Sequence, residues 1–242
     1  QVFDPPVADF TFNNVCFPDP VQFNDNSNTG GRPIASRHWN FGDANTSVAS
    51  SPSHAYAAPG AYTVKYAIIT DVGCLSDTAS HVVTVSPLPT ATVSGATDVC
   101  LNAPSPDVTF TGAVGTAPYT FTYNINGGPN QTVTTTSGNS VTVSVPTNTV
   151  GTFTYNLVSV QDASPNLCSQ AQTGSVVINV NPLPTATIDG TVTVCENAPS
   201  PNITFTAGGG ATAPYTFTYT INGGPNQTVT TTSGNSVTVA AP

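Results

Sequence analysis

The sequence predicts an all-β fold: tandem β-sandwich domains strung into an elongated array. Three observations carry this. Residues 117–143, APYTFTYNINGGPNQTVTTTSGNSVTV, return at 213–239 with one change, Asn124 against Thr220. A near-identical copy offset by about one domain marks a tandem repeat. Within the copy, Tyr119, Phe121, Tyr123 and Ile125 alternate with Thr120, Thr122 and Asn124, the period of two of a half-buried strand. Finally, the 242 residues include 20 Gly, 22 Pro and no Met, a composition of short strands and tight turns.

The repeated stretch reads as a hairpin. Asn126-Gly-Gly-Pro-Asn130 breaks the alternation, because Gly accepts positive φ and Pro129 has no N–H to donate. Residues 132–136 resume an extended, β-branched run. Ser137, Gly138 and Asn139 turn the chain again, and Val141, Val143 and Val145 form another inward-facing series. The single difference between copies falls on the polar face, where drift is cheapest, so it reads as neutral surface change.

Taken in order, residues 1–6 are an extended lead-in. The first domain is placed at 1–86, with strands expected at 7–12, 21–23, 37–43, 52–56, 60–66 and 81–85. Pro-Leu-Pro at 87–89 and again at 182–184 reads as a stiff, extended joint. The second domain is placed at 87–181, with further strands at 151–160 and 175–180. The third, 182–242, reads as incomplete: its sequence has no counterpart to the last two strands of the second. Such a domain exposes apolar faces and a sheet edge. Its completion is expected either from more of the same chain or from a neighbouring chain by strand donation.

Residues 7–86 carry Trp39-x-Phe41-Gly42-Asp43, Pro52-x-His54-x-Tyr56, Gly60-x-Tyr62-x-Val64 and a closing Val83-Thr84-Val85. This set resembles the PKD domain family, which implies a seven-stranded immunoglobulin-like sandwich. One departure is Ala44, where the family's turn usually has Gly. The strand count of 87–181 points to a second immunoglobulin-like sandwich. The repeats, with PLPTAT, TAPYTFTY, INGGPNQTVTTTSGNSVTV and GTFTYNLVSVQDAS, resemble those of very large SprB-type cell-surface adhesins of gliding Bacteroidota. That resemblance implies type IX secretion, display on the outer surface, and a long filament serving adhesion or gliding. It carries over no functional residue.

The net charge is −9 and only 6% of residues are charged, which excludes nucleic acid and anionic membrane surfaces as partners. Arg32, Arg37 and Lys65 are the whole basic complement, so trypsin has no site beyond Lys65. No apolar run is long enough to span a membrane, and no leader pattern opens the sequence, so a leader is expected to be removed or to lie outside it. Five cysteines, Cys16, Cys74, Cys100, Cys168 and Cys195, show no CxxC or Cys/His spacing, against a zinc site. Pairs Cys16–Cys74 and Cys100–Cys168 would close one loop of similar length in each of the first two domains, leaving Cys195 unpaired. Disulfides place the protein in an oxidising compartment.

Chemistry-bearing candidates are few. Trp39, the only Trp, reads as a core residue in its WxFGD setting. His38, His54 and His81 have no spacing that links them to a nucleophile. Asp25, Asp43 and Asn45 carry oxygens suited to Ca²⁺, but without a regular acidic loop, and Asp43 is expected to bond its own turn. No cofactor is expected. The acidic residues of the repeats, Asp98, Asp107, Asp162, Asp189 and Glu196, form no motif for glycoside hydrolysis. The Thr rows at 132–136 and 228–232 are explained by β-propensity. Asn45, Asn130, Asn202 and Asn226 match the N-glycosylation pattern, and Thr78 in Asp77-Thr-Ala is the candidate O-glycosylation acceptor.

The sequence therefore reads as a non-enzymatic, extracellular or surface-attached stalk of a long adhesin or filament. Its expected partners are neighbouring copies or domains of the same protein, with surface glycans or other cells as further candidates. The rival readings are a filament subunit completed by donor strands and an accessory, non-catalytic module of a secreted hydrolase.

Overall fold

The structure, a computed structural model, describes residues 4–242; the first three residues of the expected lead-in lie outside the described residues. Every regular element described is a β-strand.

The first segment, up to residue 86, holds β1 (Phe10–Phe12), β2 (Val15–Cys16), β3 (Val21–Asp25), β4 (Ile34–Asn40), β5 (Thr46–Ser47), β6 (Ser53–His54), β7 (Gly60–Thr70) and β8 (Ala79–Ser86). They form two sheets, β1-β3-β6 and β2-β8-β7-β4-β5. Alternation explains the layering: Val64, Tyr66 and Ile68 of β7 are fully buried, while Thr63 and Lys65 are exposed. Trp39 is the centre of the core. Its ring stacks on Tyr66 at 3.7 Å, Phe10 meets it edge-on at 5.2 Å, and its indole N–H donates to the Ala49 carbonyl at 2.9 Å. The Tyr56 hydroxyl donates to the Phe41 carbonyl at 3.1 Å and ties down the following turn.

The middle segment contains β9 (Thr90–Ser94), β10 (Thr97–Cys100), β11 (Asp107–Ala113), β12 (Thr120–Ile125), β13 (Gln131–Thr134), β14 (Ser140–Ser144), β15 (Gly151–Gln161), β16 (Ser169–Ala171) and β17 (Ser175–Asn181). One sheet runs β10-β17-β15-β12-β13, with β16 on β15; the other runs β14-β11-β9. The hairpin β12–β13 forms as read, with Tyr123 opposite Gln131. Asn126 and Gly127 both have positive φ (53° and 72°), and the Gly128 N–H donates to Ile125. This is the type I′ turn that matches strand twist. The run at 141–145 does not extend the hairpin's sheet but crosses to the other one, where β14 lies beside β11. Thr135 starts the crossing: its backbone and hydroxyl exchange hydrogen bonds with the backbone of Tyr119, both 2.9 Å, and it is buried.

The last segment holds β18 (Thr185–Asp189), β19 (Asn202–Gly208), β20 (Thr216–Tyr219), β21 (Gln227–Thr230) and β22 (Ser236–Ala240), in sheets β18-β19-β22 and β20-β21. Its hairpin repeats the positive-φ pair at Asn222 and Gly223. Because β9 and β18 begin at Thr90 and Thr185, each Pro-Leu-Pro joint is only three residues of linker. By density of contacts the chain divides into two compact units. One comprises residues up to 94, 108–143 and 155–176; the other comprises 95–107, 144–154 and 177–242.

The WxFGD turn shows where Gly is required. A Cβ on Gly42 would come within 2.6 Å of the Thr63 carbonyl. Ala44, the departure from the family pattern, has φ of 72°, a left-handed conformation that strains any residue with a Cβ. Ala44→Gly should therefore raise the stability of the first segment by about 0.5–1 kcal/mol, less what Gly loses in chain entropy. Urea denaturation followed by Trp39 fluorescence measures it; an unchanged or lower midpoint would refute the strain.

Candidate functional site

The structure's most specific non-repeating feature is a covalent junction. β2 lies parallel to the end of β8, with Cys16 opposite Ser86, and the Phe17 N–H donates to the Ser86 carbonyl at 2.8 Å. Cys16 thus sits beside the residue that precedes Pro87. Cys168 follows β15 in a turn built on Asp162. That buried carboxylate accepts from the Thr116 N–H (2.9 Å), the Ser164 N–H (3.2 Å) and the Ser164 hydroxyl (2.7 Å). The Ser164 hydroxyl in turn accepts from the Cys168 N–H at 3.2 Å, and the Asp162 N–H donates to the Cys168 carbonyl at 2.9 Å. The turn presents Cys168 to Cys16, and the two are joined by a disulfide with Cα atoms 5.7 Å apart. Beside it, the Asn166 side-chain amide donates to the Val15 carbonyl at 3.1 Å.

This pairing corrects the expected one. Cys16–Cys74 and Cys100–Cys168 do not form; Cys74 and Cys100 are free, as is Cys195. The reason is strand register. Cys16 lies at the Gly60 end of the first sheet, since Gly60 pairs with Val85, and Cys74 lies past Thr70 at the other end of the 11-residue β7. At ~3.3 Å per residue that separation is roughly 30 Å, beyond the reach of about 7 Å that a disulfide allows. Likewise Cys100 pairs with Asn181 at the finish of β17, while Cys168 follows Gln161 at the finish of β15. Asn179 bonds to Thr152 at the start of β15, so the two cysteines again stand at opposite strand ends.

A second feature is the open interior of the last segment. In the middle segment β12 is paired on both edges, by β13 and β15. Among the described residues its counterpart β20 is paired only by β21. The exposed interior forms a cavity of about 520 Å³ whose apolar lining includes Ala186, Ile188, Phe205, Tyr215 and Phe217. Ile188 is 66% exposed, whereas its counterpart in the middle segment, Val93, is half-buried.

Residues 3–85 match the model of the PKD domain family. A microbial collagenase of Vibrio alginolyticus is 39% identical over 64 residues; the match covers 26% of this chain and 8% of the collagenase. Among solved structures, the first PKD domain of a Vibrio cholerae metalloprotease is 28% identical, covering 34% of this chain and 98% of that one, with a TM-score of 0.31. A structure from a 1.5-MDa bacterial ice-binding adhesin is 18% identical, covering 98% of this chain and 88% of that one, with a TM-score of 0.40.

In the segment that matches the PKD model, the remaining candidates form separate polar pairs. His54 Nε2 lies 2.7 Å from Asp43, whose carboxylate also accepts from the Asn45 backbone and side chain at 3.0 Å. The His54 ring stacks on Phe41 at 4.2 Å. Asp25 accepts from Ser27 (3.0 Å) and Arg37 (3.1 Å), His81 Nε2 lies 3.0 Å from Asp9, and Arg32 pairs with Asp71 at 2.8 Å. His38 has only Ser36 nearby, at 3.4 Å, on the exposed surface. Asp25 and Asp43 belong to different networks. No group of three or more His, Cys, Asp or Glu suited to a metal occurs among the described residues. Thr78 is exposed just before β8, and Asn45, Asn130, Asn202 and Asn226 are all exposed. Asp162 and Asn166, which shape the junction, were not singled out from the sequence as structural residues. Their signal is the Asp-x-Ser at 162–164, a pattern in which a carboxylate bonds the backbone two residues on.

Two outcomes follow from this geometry. Asp162→Ala strands buried donors from Thr116 and Ser164, so it should cost about 2–4 kcal/mol and slow Cys16–Cys168 formation. Trypsin reports the bond directly, since it can separate residues 1–37 from 66–242. Under non-reducing, denaturing conditions the fragments should stay joined in Cys74→Ser and part in Cys168→Ser. The reverse pattern would restore the Cys16–Cys74 pairing.

Acid supplies a third. The His81 partner holds the Asp9 carboxyl below its ordinary 3.8. Burial pushes Asp25 and Asp43 up, but hydrogen bonds from Ser27 and Arg37, and from Asn45 and His54, outweigh it and leave both low. Folded values below the unfolded ones stabilise fully above the ordinary value and fade as pH falls through the folded values. The Tm of the PKD domain should therefore hold from pH 7 to 5 and drop below about pH 4, with a smaller drop in Asp25→Asn/Asp43→Asn.

Proposed function

We propose that this chain is a non-catalytic extracellular spacer, part of the stalk of a long cell-surface adhesin or filament used for attachment or gliding. The observation that carries the reading is the disulfide that joins the PKD domain to the sandwich after it. A catalytic module gains nothing from such a bond, whereas a spacer gains a joint with fewer accessible angles. Its presence supports an oxidising, extracytoplasmic setting. Three further features support it. Copies of one sandwich follow in series, the linkers are three residues long, and the sequence beyond Lys65 offers no basic residue to trypsin-like proteases. In this reading the partners are neighbouring domains or copies of the same protein, with glycans or other cells engaged elsewhere. Type IX export and a gliding role are the finer form of the proposal, carried by the resemblance of the repeats.

A filament subunit completed by donor strands is the second reading. The collagenase relative supports the accessory-module alternative, although the match covers only 8% of that protein.

The reduced, denatured mass of the protein from its own cells, taken with digestion of intact cells by an added protease, separates these. The stalk reading expects a mass many times 24.6 kDa and loss of the band on intact cells. A mass near 24.6 kDa means a polymerising subunit, and a catalytic domain in the same polypeptide means an accessory module. A protected, cytoplasmic protein with Cys16 reduced would end all three.

A further inference from the structure

The five cysteines occupy only two kinds of place. Cys16, Cys100 and Cys195 each open a tight turn closed by one backbone bond: the carbonyl of Cys16 accepts from the Asp19 N–H (2.9 Å), that of Cys100 from Ala103 (3.0 Å) and that of Cys195 from Ala198 (3.1 Å); the first contains a cis bond before Pro18, and the other two have positive φ at Asn102 and Asn197. Cys16 and Cys100 share more. Each ends a short strand parallel to the last strand of its sheet, opposite the residue before Pro-Leu-Pro, Ser86 in one case and Asn181 in the other. The N–H of the next residue, Phe17 or Leu101, donates to that residue's carbonyl at 2.8 Å in both.

Cys74 and Cys168 form the second kind. Each follows an 11-residue strand, β7 or β15. The carbonyl of each accepts from a backbone N–H at the strand's finish, Thr70 (3.0 Å) or Asp162 (2.9 Å). The N–H of each donates to a nearby hydroxyl at 3.2 Å, that of Thr70 or Ser164. Each of the first two sandwiches therefore carries one strand-end cysteine where the chain leaves and one loop cysteine at the other end. The observed bond joins the strand-end cysteine of the first to the loop cysteine of the second.

We propose that Cys100 is the strand-end half of a second inter-domain disulfide, whose partner is the loop cysteine of a completed following sandwich. By the same rule Cys74 is the loop half of a junction with a preceding sandwich, and Cys195 the strand-end half of the junction after the third. Cys100 and Cys195 are exposed, and Cys74 is half-buried. The bond forms by thiol–disulfide exchange with a low-molecular-weight disulfide. The two protein thiols lose two protons and two electrons and become one S–S bond, and the reagent disulfide is reduced to two thiols. The inference rests on the array reading only for the presence of neighbouring domains. The test supplies the neighbour itself, so the cross-link can fail while the stalk stands, and the reverse.

The chain is extended after Pro242 with a copy of residues 147–181, since Pro242 stands where Pro146 stands in the second repeat. It is oxidised with a glutathione redox buffer, alkylated and mapped by non-reducing peptide analysis. The expected bonds are Cys16–Cys168 and Cys100 to the copied Cys168, with Cys74 and Cys195 alkylated. A copied cysteine bonded to Cys195, or left alkylated while Cys16–Cys168 forms, overturns the proposal; so does a Cys100–Cys100 dimer of two chains. A second arm keeps the 242-residue chain and adds a synthetic peptide of residues 151–181, which supplies the two missing strands and their loop cysteine. Docking raises the local thiol concentration, so Cys100 should capture the peptide roughly tenfold more than Cys195 or Cys74. Cys100→Ser should abolish the capture and Cys195→Ser should not. Equal capture by all three thiols overturns it.

Discussion

The organisation of this chain depends on a small parallel pairing: a strand of two to four residues laid against the last strand of its sheet. β2 on β8 and β10 on β17 are the two instances. A parallel partner must run in the same direction as the last strand, so its end falls where the sheet's chain departs. That fixes the short strand's last residue, a cysteine in both cases, beside a three-residue proline joint. The joint is too short to let adjacent sandwiches separate far, and the turn on Asp162 brings the second cysteine to the same place. A shift of β2 by one residue would turn Cys16 to the other face of the sheet.

The same sequence in two settings shows what burial requires. β12 and β20 differ at one residue in the repeated stretch, yet Phe121 is fully buried and Phe217 keeps 6% of its surface exposed. Ala91 is buried and its counterpart Ala186 is exposed. Hairpin geometry is local: the Asn-Gly turn, its positive φ angles and the threonine hydroxyl's bond from the N–H of the tyrosine that opens the hairpin are present in both copies. Closure of the core is not local, and it follows the presence of β15 and β17.

Those two behaviours also set what could be read from residues alone. Alternation along 119–125 and 60–66 located strands and their inner faces, because side-chain direction depends only on the period of the strand. The motifs around Trp39 placed it in the core for the same reason. The crossing of β14 to the opposite sheet was not legible, since valines at alternate positions serve either sheet equally well. Nor was the pairing of Cys16 with Cys168, 152 residues apart. Loop-closure reasoning favours partners near in sequence, within one domain. Register places those near partners, Cys74 for Cys16 and Cys100 for Cys168, at the far ends of 11-residue strands. What is close along the chain is therefore far apart in space. Buried Asp162 was noted in the sequence only as an acid without a catalytic motif, because its role comes from the backbone donors the fold gathers around it.

The junction also decides how the molecule carries a pull. Tension applied at the two ends reaches Cys16 and passes through a sulfur–sulfur bond to Cys168, and the residues between them bear none of it. The PKD core, with Trp39 and Tyr66, and most of the sandwich that follows are taken out of the load path. They cannot be drawn into extended chain, which for some 150 residues at ~3.5 Å each would release roughly 500 Å of slack. Under oxidising conditions the chain behaves over this stretch as a short, inextensible tether. Reduction of one bond turns the same stretch into a yielding one.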